Sequence, residues 1–276
     1  MVNRHPTAGL LLGAGVLLAG CAAPQGAEPP VRPLNVRDMN TFTLPLDAYT
    51  PAPAQQNTLL AAEKTLVARC LERRGLDADV PDPHPAVSGR NARRYGIVDE
   101  ARARTLGYSV PEISKRAPHP RMPDEIRRAV RGDGGCDDEA GRTLRAGVPD
   151  LTAQRRTLDR AAFGAYELAL RDSRVRAVFA RWSACMKKSG HRYATPPDAV
   201  RDKRFLDDAH HTPGPAEIGT AVADARCKRE TGVVNVWAGV ETAYQDRAIA
   251  RNRAAFDALR TALTRRLANA ANVLNR

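Results

Sequence analysis

Apolar residues recur every three or four positions along most of this chain, and that period constrains the fold more than any other feature of the sequence. In "TLLAAEKTLVARCLERRG", Leu59, Leu60, Leu66, Val67, Cys70 and Leu71 fall on one helical stripe that stops at Gly75. In "RVRAVFARWSACMKKSG", Val175, Val178, Phe179, Trp182, Cys185 and Met186 do the same and stop at Gly190. Such a stripe needs another helix to cover it, and a glycine just past the last turn is a stop signal. The strict alternation that marks half-buried strands is almost absent. The expectation is an all-α protein with helices over 55–74, 97–106, 122–131, 136–145, 150–172, 174–189, 198–208, 214–231 and 233–272. Pro and Gly clusters such as "VPDPHPAVSG", "KRAPHPRMP" and "HHTPGP" mark loops between them. The last helix carries Val233, Trp237, Val240, Tyr244, Phe256, Leu259, Leu263 and Leu267, and is expected to lie lengthwise and antiparallel against residues 151–182.

The cysteines point to an internal duplication. "CLERRGLDADVP" (70–81) and "CMKKSGHRYATP" (185–196) share a cysteine, a glycine five residues later and a proline six residues after that. "CDDEAG" (136–141) and "CKRETG" (227–232) share C-x-x-E-x-G. The two signatures occur twice in the same order, which suggests related halves over about 55–146 and 172–245.

The N-terminus reads as an export signal. Residues 1–20 hold one cation, Arg4, then the apolar, small-residue run "TAGLLLGAGVLLAG", which is too short to span a bilayer as a stable helix. The boundary "LLAGC", Leu17 to Cys21, resembles the lipobox of bacterial lipoproteins. The resemblance implies cleavage before Cys21, a diacylglyceryl thioether on its sulfur, and a chain anchored by lipid to the extracytoplasmic face of the cell membrane. Residues 21–45 are Pro-rich without helical period and read as a stiff tether, with a helical domain over 46–276 beyond it, although Leu44, Leu46 and Tyr49 in "LPLDAYTPAP" suit that last stretch to docking on the domain. With Cys21 assigned to lipid, Cys70, Cys136, Cys185 and Cys227 remain. An even number in an exported chain points to two disulfides, with three connectivities open. If the duplication is real, the natural pairs are Cys70 with Cys136 and Cys185 with Cys227.

Residues 170–250 resemble a class of actinobacterial secreted lipoproteins of unknown function. The matching residues are Cys185, Met186 and Gly190, then Ala223, Asp224, Cys227 and Lys228, then Trp237, Val240, Glu241, Tyr244 and Gln245; "ARRYGIVDEARARTLGY" at 92–108 matches more loosely. The class has no assigned activity to carry over, so the resemblance implies architecture and location alone.

Catalytic motifs are hard to find. Nucleophile elbows, H-E-x-x-H, phosphate-binding glycine loops and S-x-x-K are missing. A free Cys185 beside Lys187, Lys188 and Arg192 would be acidified, with His191 as a possible base, but a disulfide removes that thiol. "DDAHHTPG" gathers Asp207, Asp208, His210 and His211, a weak candidate metal site, since adjacent loop histidines without a second motif are more often solvated. Asp137, Asp138 and Glu139 suit a helix N-terminus better than an acid/base pair. Trp182 and Trp237 fall on apolar stripes and read as core, and "RGD" at 131–133 is a chance-level match. The formal charge is +12, or +11 once Arg4 is lost, mostly arginine scattered on helical faces without interleaved aromatics. Solvated surface is the first reading of that excess, with anionic envelope polymers or another envelope protein as the partners it favours; export argues against nucleic acid. The sequence thus leads to a lipid-anchored, disulfide-stapled helical protein, non-catalytic and without cofactor, acting as a binding or envelope-interaction module. A wall-modifying enzyme lacking a recognisable motif and a metal-binding lipoprotein are the alternatives.

Overall fold

The computed structural model describes residues 27–77, 89–109, 122–205 and 212–276, and among these the regular structure is entirely helical. The α-helices are α1 (Pro53–Arg73), α2 (Glu100–Leu106), α3 (Asp124–Arg131), α4 (Cys136–Leu144), α5 (Thr152–Arg171), α6 (Ser173–Lys188), α7 (Pro196–Val200), α8 (Pro215–Thr231), α9 (Val233–Arg251) and α10 (Arg253–Leu274), with short 3₁₀ turns at Pro45–Tyr49 and Lys203–Phe205.

Two disulfides staple the helices. Cys70 on α1 bonds Cys136 at the start of α4, and Cys185 on α6 bonds Cys227 on α8, with Cα atoms 5.6 and 5.7 Å apart. The first signature has one structure in both halves. Gly75 and Gly190 take left-handed φ values of 71° and 85°, which lets the next amide reach back: Leu76 N–H donates to Leu71 O at 3.0 Å, and His191 N–H to Met186 O at 2.9 Å. Each helix therefore ends in the same six-residue closure one turn past its cysteine. The second signature differs. Cys136 opens α4, so Gly141 lies inside that helix, whereas Cys227 lies near the end of α8 and Gly232 is its left-handed cap. The three letters shared there describe a helix start in one half and a helix end in the other.

Four apolar clusters hold the fold. The largest centres on Trp182, Trp237, Phe179 and Tyr95 and joins α5, α6, α8 and α9 with the 89–109 segment. A second surrounds the Cys70–Cys136 bond between α1, α3 and α4. The other two lie along α10, where Phe256 and Leu259 meet Leu46, Leu151 and Leu158, and Ala270 and Val273 meet Leu59, Ala62 and Leu144.

The helix expected over 233–272 is broken. α9 packs on α5 and α6, but at Asn252 (φ −127°) the helix stops and α10 turns away to lie mainly on α1. The Asn252 side chain donates to Ala248 O at 2.8 Å, the local backbone bond by which asparagine competes with helix continuation. A long C-terminal helix remains, as α10 alone. The helix expected over 198–208 shrinks to α7 and the following 3₁₀ turn, and residues 206–211 lie outside the described residues.

Much of the stretch read as a tether lies on the domain. Residues 1–26, Cys21 among them, lie outside the described residues, but from Ala27 onward the Pro-rich stretch is docked as an extended strap. Glu28 accepts from Ser173 N–H at 2.6 Å and Ser173 Oγ at 2.7 Å, Arg174 donates to Pro29 O, and Arg247 donates to Ala27 O. Further along, Val36 N–H donates to Asn235 Oδ1, and Met39, Leu44 and Leu46 are buried. Proline forbids helix here, but an extended chain still offers apolar side chains, and α9 offers a bare surface at Gly239. A Cβ at that position would stand 3.1 Å from Val31 Cγ1 and 3.3 Å from Arg32 O. Gly239→Leu is therefore expected to lift the strap, because overpacking costs about 1–3 kcal/mol. Tryptic cleavage after Arg37 should rise about tenfold at unchanged fold, in line with a larger open population. Unchanged cleavage would show that the strap is held elsewhere.

Candidate functional site

Asp224, Lys228, Glu241 and Gln245 are buried polar residues on α8 and α9. Asp224 and Lys228 sit one turn apart on α8 and are 0% and 1% exposed. Lys228 Nζ donates to Asp224 Oδ2 at 2.8 Å and to the Ile97 carbonyl at 3.0 Å. Trp182 Nε1 donates to Asp224 Oδ1 at 3.0 Å, and the Tyr108 hydroxyl to Oδ2 at 3.3 Å. Burial pushes the Asp224 carboxyl up and the Lys228 ammonium down, and each charge opposes the shift of the other. One helix away on α9, Glu241 is fully buried and accepts from Arg94, from the Tyr95 hydroxyl at 3.0 Å and from Gln245 Nε2 at 3.0 Å. Gln245 in turn accepts from Leu46 N–H at 2.9 Å.

These bonds explain how residues 89–109, nearly devoid of regular structure outside α2, are fixed in place. Their backbone and side chains hang on carboxylates projected by α8 and α9: Glu217 accepts Tyr108 N–H at 2.7 Å, Asp224 takes its hydroxyl, and Glu241 takes Arg94 and Tyr95. Burial raises the Tyr95 and Tyr108 hydroxyls far above their usual range, with the neighbouring carboxylates adding to the effect, so both stay protonated donors.

Two concavities open beside this segment. One, of about 640 Å³, lies between residues 35–40 of the strap, residues 92–102 and the α8–α9 corner. Its charges are largely matched: Arg229 pairs with Glu100, Asp99 caps α2 by accepting from Ala101 and Arg102 N–H, and Lys228 is already bound. The other, of about 200 Å³, is walled by Arg94, Tyr166, Pro196, Arg201 and Trp237. Arg94 lies 4.9 Å over the Tyr166 ring, and the Trp237 indole nitrogen, packed among Tyr95, Tyr166 and Phe179, has no acceptor among the described residues.

The residues singled out from sequence distribute as follows. Cys185 is bonded to Cys227, so it offers no thiol to His191, whose Nδ1 instead lies 3.2 Å from Thr220 Oγ1. Burial, then the Arg204 charge, lowers the His191 pKa. Asp207, Asp208, His210 and His211 lie outside the described residues, and among the described ones no group of three metal-ligating side chains comes together. Asp137, Asp138 and Glu139 form the first turn of α4, where their charge suits the helix N-terminus. Burial lifts Glu63 and Asp137 above the usual carboxylate range, and the Asp137 charge adds to the shift at Glu63; neither residue lines the two concavities. Sequence reading missed Arg94, Tyr95 and Tyr108 as anchors, because nothing in a loop's spacing reveals which helix it will lie on. Compared with family models, curated proteins and solved structures, the chain matches none.

Proposed function

We propose that this chain is a lipid-anchored protein of the extracytoplasmic face that works without catalysis, as a binding module for anionic envelope polymers or another envelope protein. The docked strap carries the reading. An anchor on Cys21 leaves six peptide steps to Ala27, about 20 Å at full extension, and at Ala27 the chain is already tied to the domain through Arg247. Such an anchor holds the domain against the membrane instead of lifting it away, with the Arg174 and Arg247 side turned toward the headgroups. Each cation near an anionic surface contributes about 1 kcal/mol there. The non-catalytic part is supported by the use made of the buried charges: Asp224 with Lys228, and Glu241 with Arg94, are consumed in holding residues 89–109. No helix among the described residues is long and apolar enough to cross a membrane.

Cell fractionation in a lipidating bacterial host tests this. The wild-type chain is expected to sediment with membranes and to yield an N-terminal peptide with diacylglycerol on Cys21, while Cys21→Ser leaves the membrane fraction. Wild-type protein free of membranes, or membrane-bound protein with an unmodified Cys21, overturns the reading.

A further inference from the structure

We propose that the cavity between the α4–α5 turn and α10 is a binding site for a phosphate-type anion, held by Arg145, Arg155 and Arg266. The cavity measures about 420 Å³, and these three arginines line it from three different helices or helix ends. Arg145 caps the end of α4, Arg155 projects from the first turn of α5, and Arg266 comes from the middle of α10.

Three observations point to a missing counter-charge. None of the three arginines takes part in an ion pair among the described residues. Arg266 Nε is buried without an acceptor, the kind of orphaned donor that folded proteins rarely leave unmatched. The cluster also repels itself: burial first, then the charges of Arg155 and Arg145, lower the Arg266 pKa. The carboxylates nearby form no ion pair with the cluster. Asp150 lines the cavity, with Oδ1 accepting from Thr152 N–H at 2.9 Å and Thr152 Oγ at 2.7 Å, bonds that favour its charged form, but it is within ion-pair distance of none of the three arginines. Glu63, on α1, feels the charges of Arg266 and Arg145, but it does not line the cavity and forms no ion pair with either among the described residues.

An anion placed among the three resolves all of this at once. Guanidinium forks donate in pairs, so three of them around one centre offer more donors than the two oxygens of a carboxylate accept, and suit the oxygens of phosphate or of a phosphodiester. The site itself does not depend on the lipid anchor; only its physiological source, an anionic wall polymer or a lipid headgroup, rests on the envelope reading above.

Titration calorimetry of inorganic phosphate into the full chain in a non-ionic detergent tests the site. Saturable one-to-one binding is expected, weakened at least tenfold in Arg155→Gln and in Arg266→Gln. Arg155 is exposed on a helix surface, so Arg155→Gln should keep the wild-type unfolding midpoint and serves even if Arg266→Gln folds poorly. Displacement of bound phosphate then identifies the source: a soluble glycerol-phosphate polymer displacing it more strongly than short-chain phosphatidylglycerol assigns a wall polymer, and the reverse assigns a headgroup. Binding that does not saturate, or that is equal in wild type and Arg155→Gln, overturns the proposal. Because Cys21 is untouched, that result would leave the membrane anchoring standing.

Discussion

Asp224→Asn is expected to destabilise the protein by about 3 kcal/mol at neutral pH, and adding Lys228→Met to return more than half of the loss. The single change keeps the shape at position 224 and leaves Asn an acceptor for Trp182 Nε1, which now bonds the carboxylate at 3.0 Å. What it removes is the charge facing Lys228 Nζ at 2.8 Å, in a site where the lysine is 1% exposed. An ammonium buried without a counter-charge either keeps its proton at the full cost of desolvation or gives it up at the cost of a pKa forced below neutrality. The Lys228→Met partner removes the stranded charge and fills a similar volume, leaving chiefly the lost bond to the Ile97 carbonyl. Urea unfolding of the two single variants and the double variant measures this directly. A double variant less stable than Asp224→Asn would mean that Lys228 is worth more as an anchor for Ile97 than as half of an ion pair.

Replacing either cysteine pair by alanine is expected to cost about 4 kcal/mol, since closing loops of 66 and 42 residues removes comparable entropy from the unfolded chain. The two losses should differ in kind. Cys185–Cys227 lies against the largest apolar cluster, where Trp182 and Trp237 hold α6 and α9 regardless, so its removal should lower the global unfolding midpoint without loosening any one part. Cys70–Cys136 ties α1 to a small cluster whose other members are Val67, Leu71, Ile126, Val130 and Ala140. With that bond gone, α3 and α4 should open by themselves, and amide exchange there should accelerate far more than in α9. Equal acceleration in α3, α4 and α9 would show that the small cluster is cooperative with the rest.

The helical character of the chain, the stripes on which Cys70 and Cys185 sit and the closures at Gly75 and Gly190 were legible in the sequence, because all three are settled within a few turns of one helix. The apolar period decides which face is covered, and a glycine five residues past a cysteine lets the chain turn back at a positive φ. Asp224, Lys228, Glu241 and Gln245 could be singled out as a pattern, yet not given a role. Their partners, Ile97, Tyr108, Arg94 and Leu46, stand between 116 and 199 residues away in the chain. The break at Asn252 was hidden for a related reason: asparagine in a helical run is tolerated or not according to where the following turns can bury their stripe, and here α1 offered the better surface for α10. Docking was legible only around Leu44, Leu46 and Tyr49; for the rest of the strap, proline and missing periodicity exclude helix without distinguishing a free extended chain from a docked one. That choice was made by α9, whose Gly239 leaves room for Val31 and whose Asn235 accepts the Val36 amide. The sequence by itself thus determined the local elements and where they stop, since those follow from bonds a few residues apart. Which elements meet, and therefore where unmatched arginines gather around a cavity, was decided only by the tertiary structure, because burial of a charge is a property of everything packed around it.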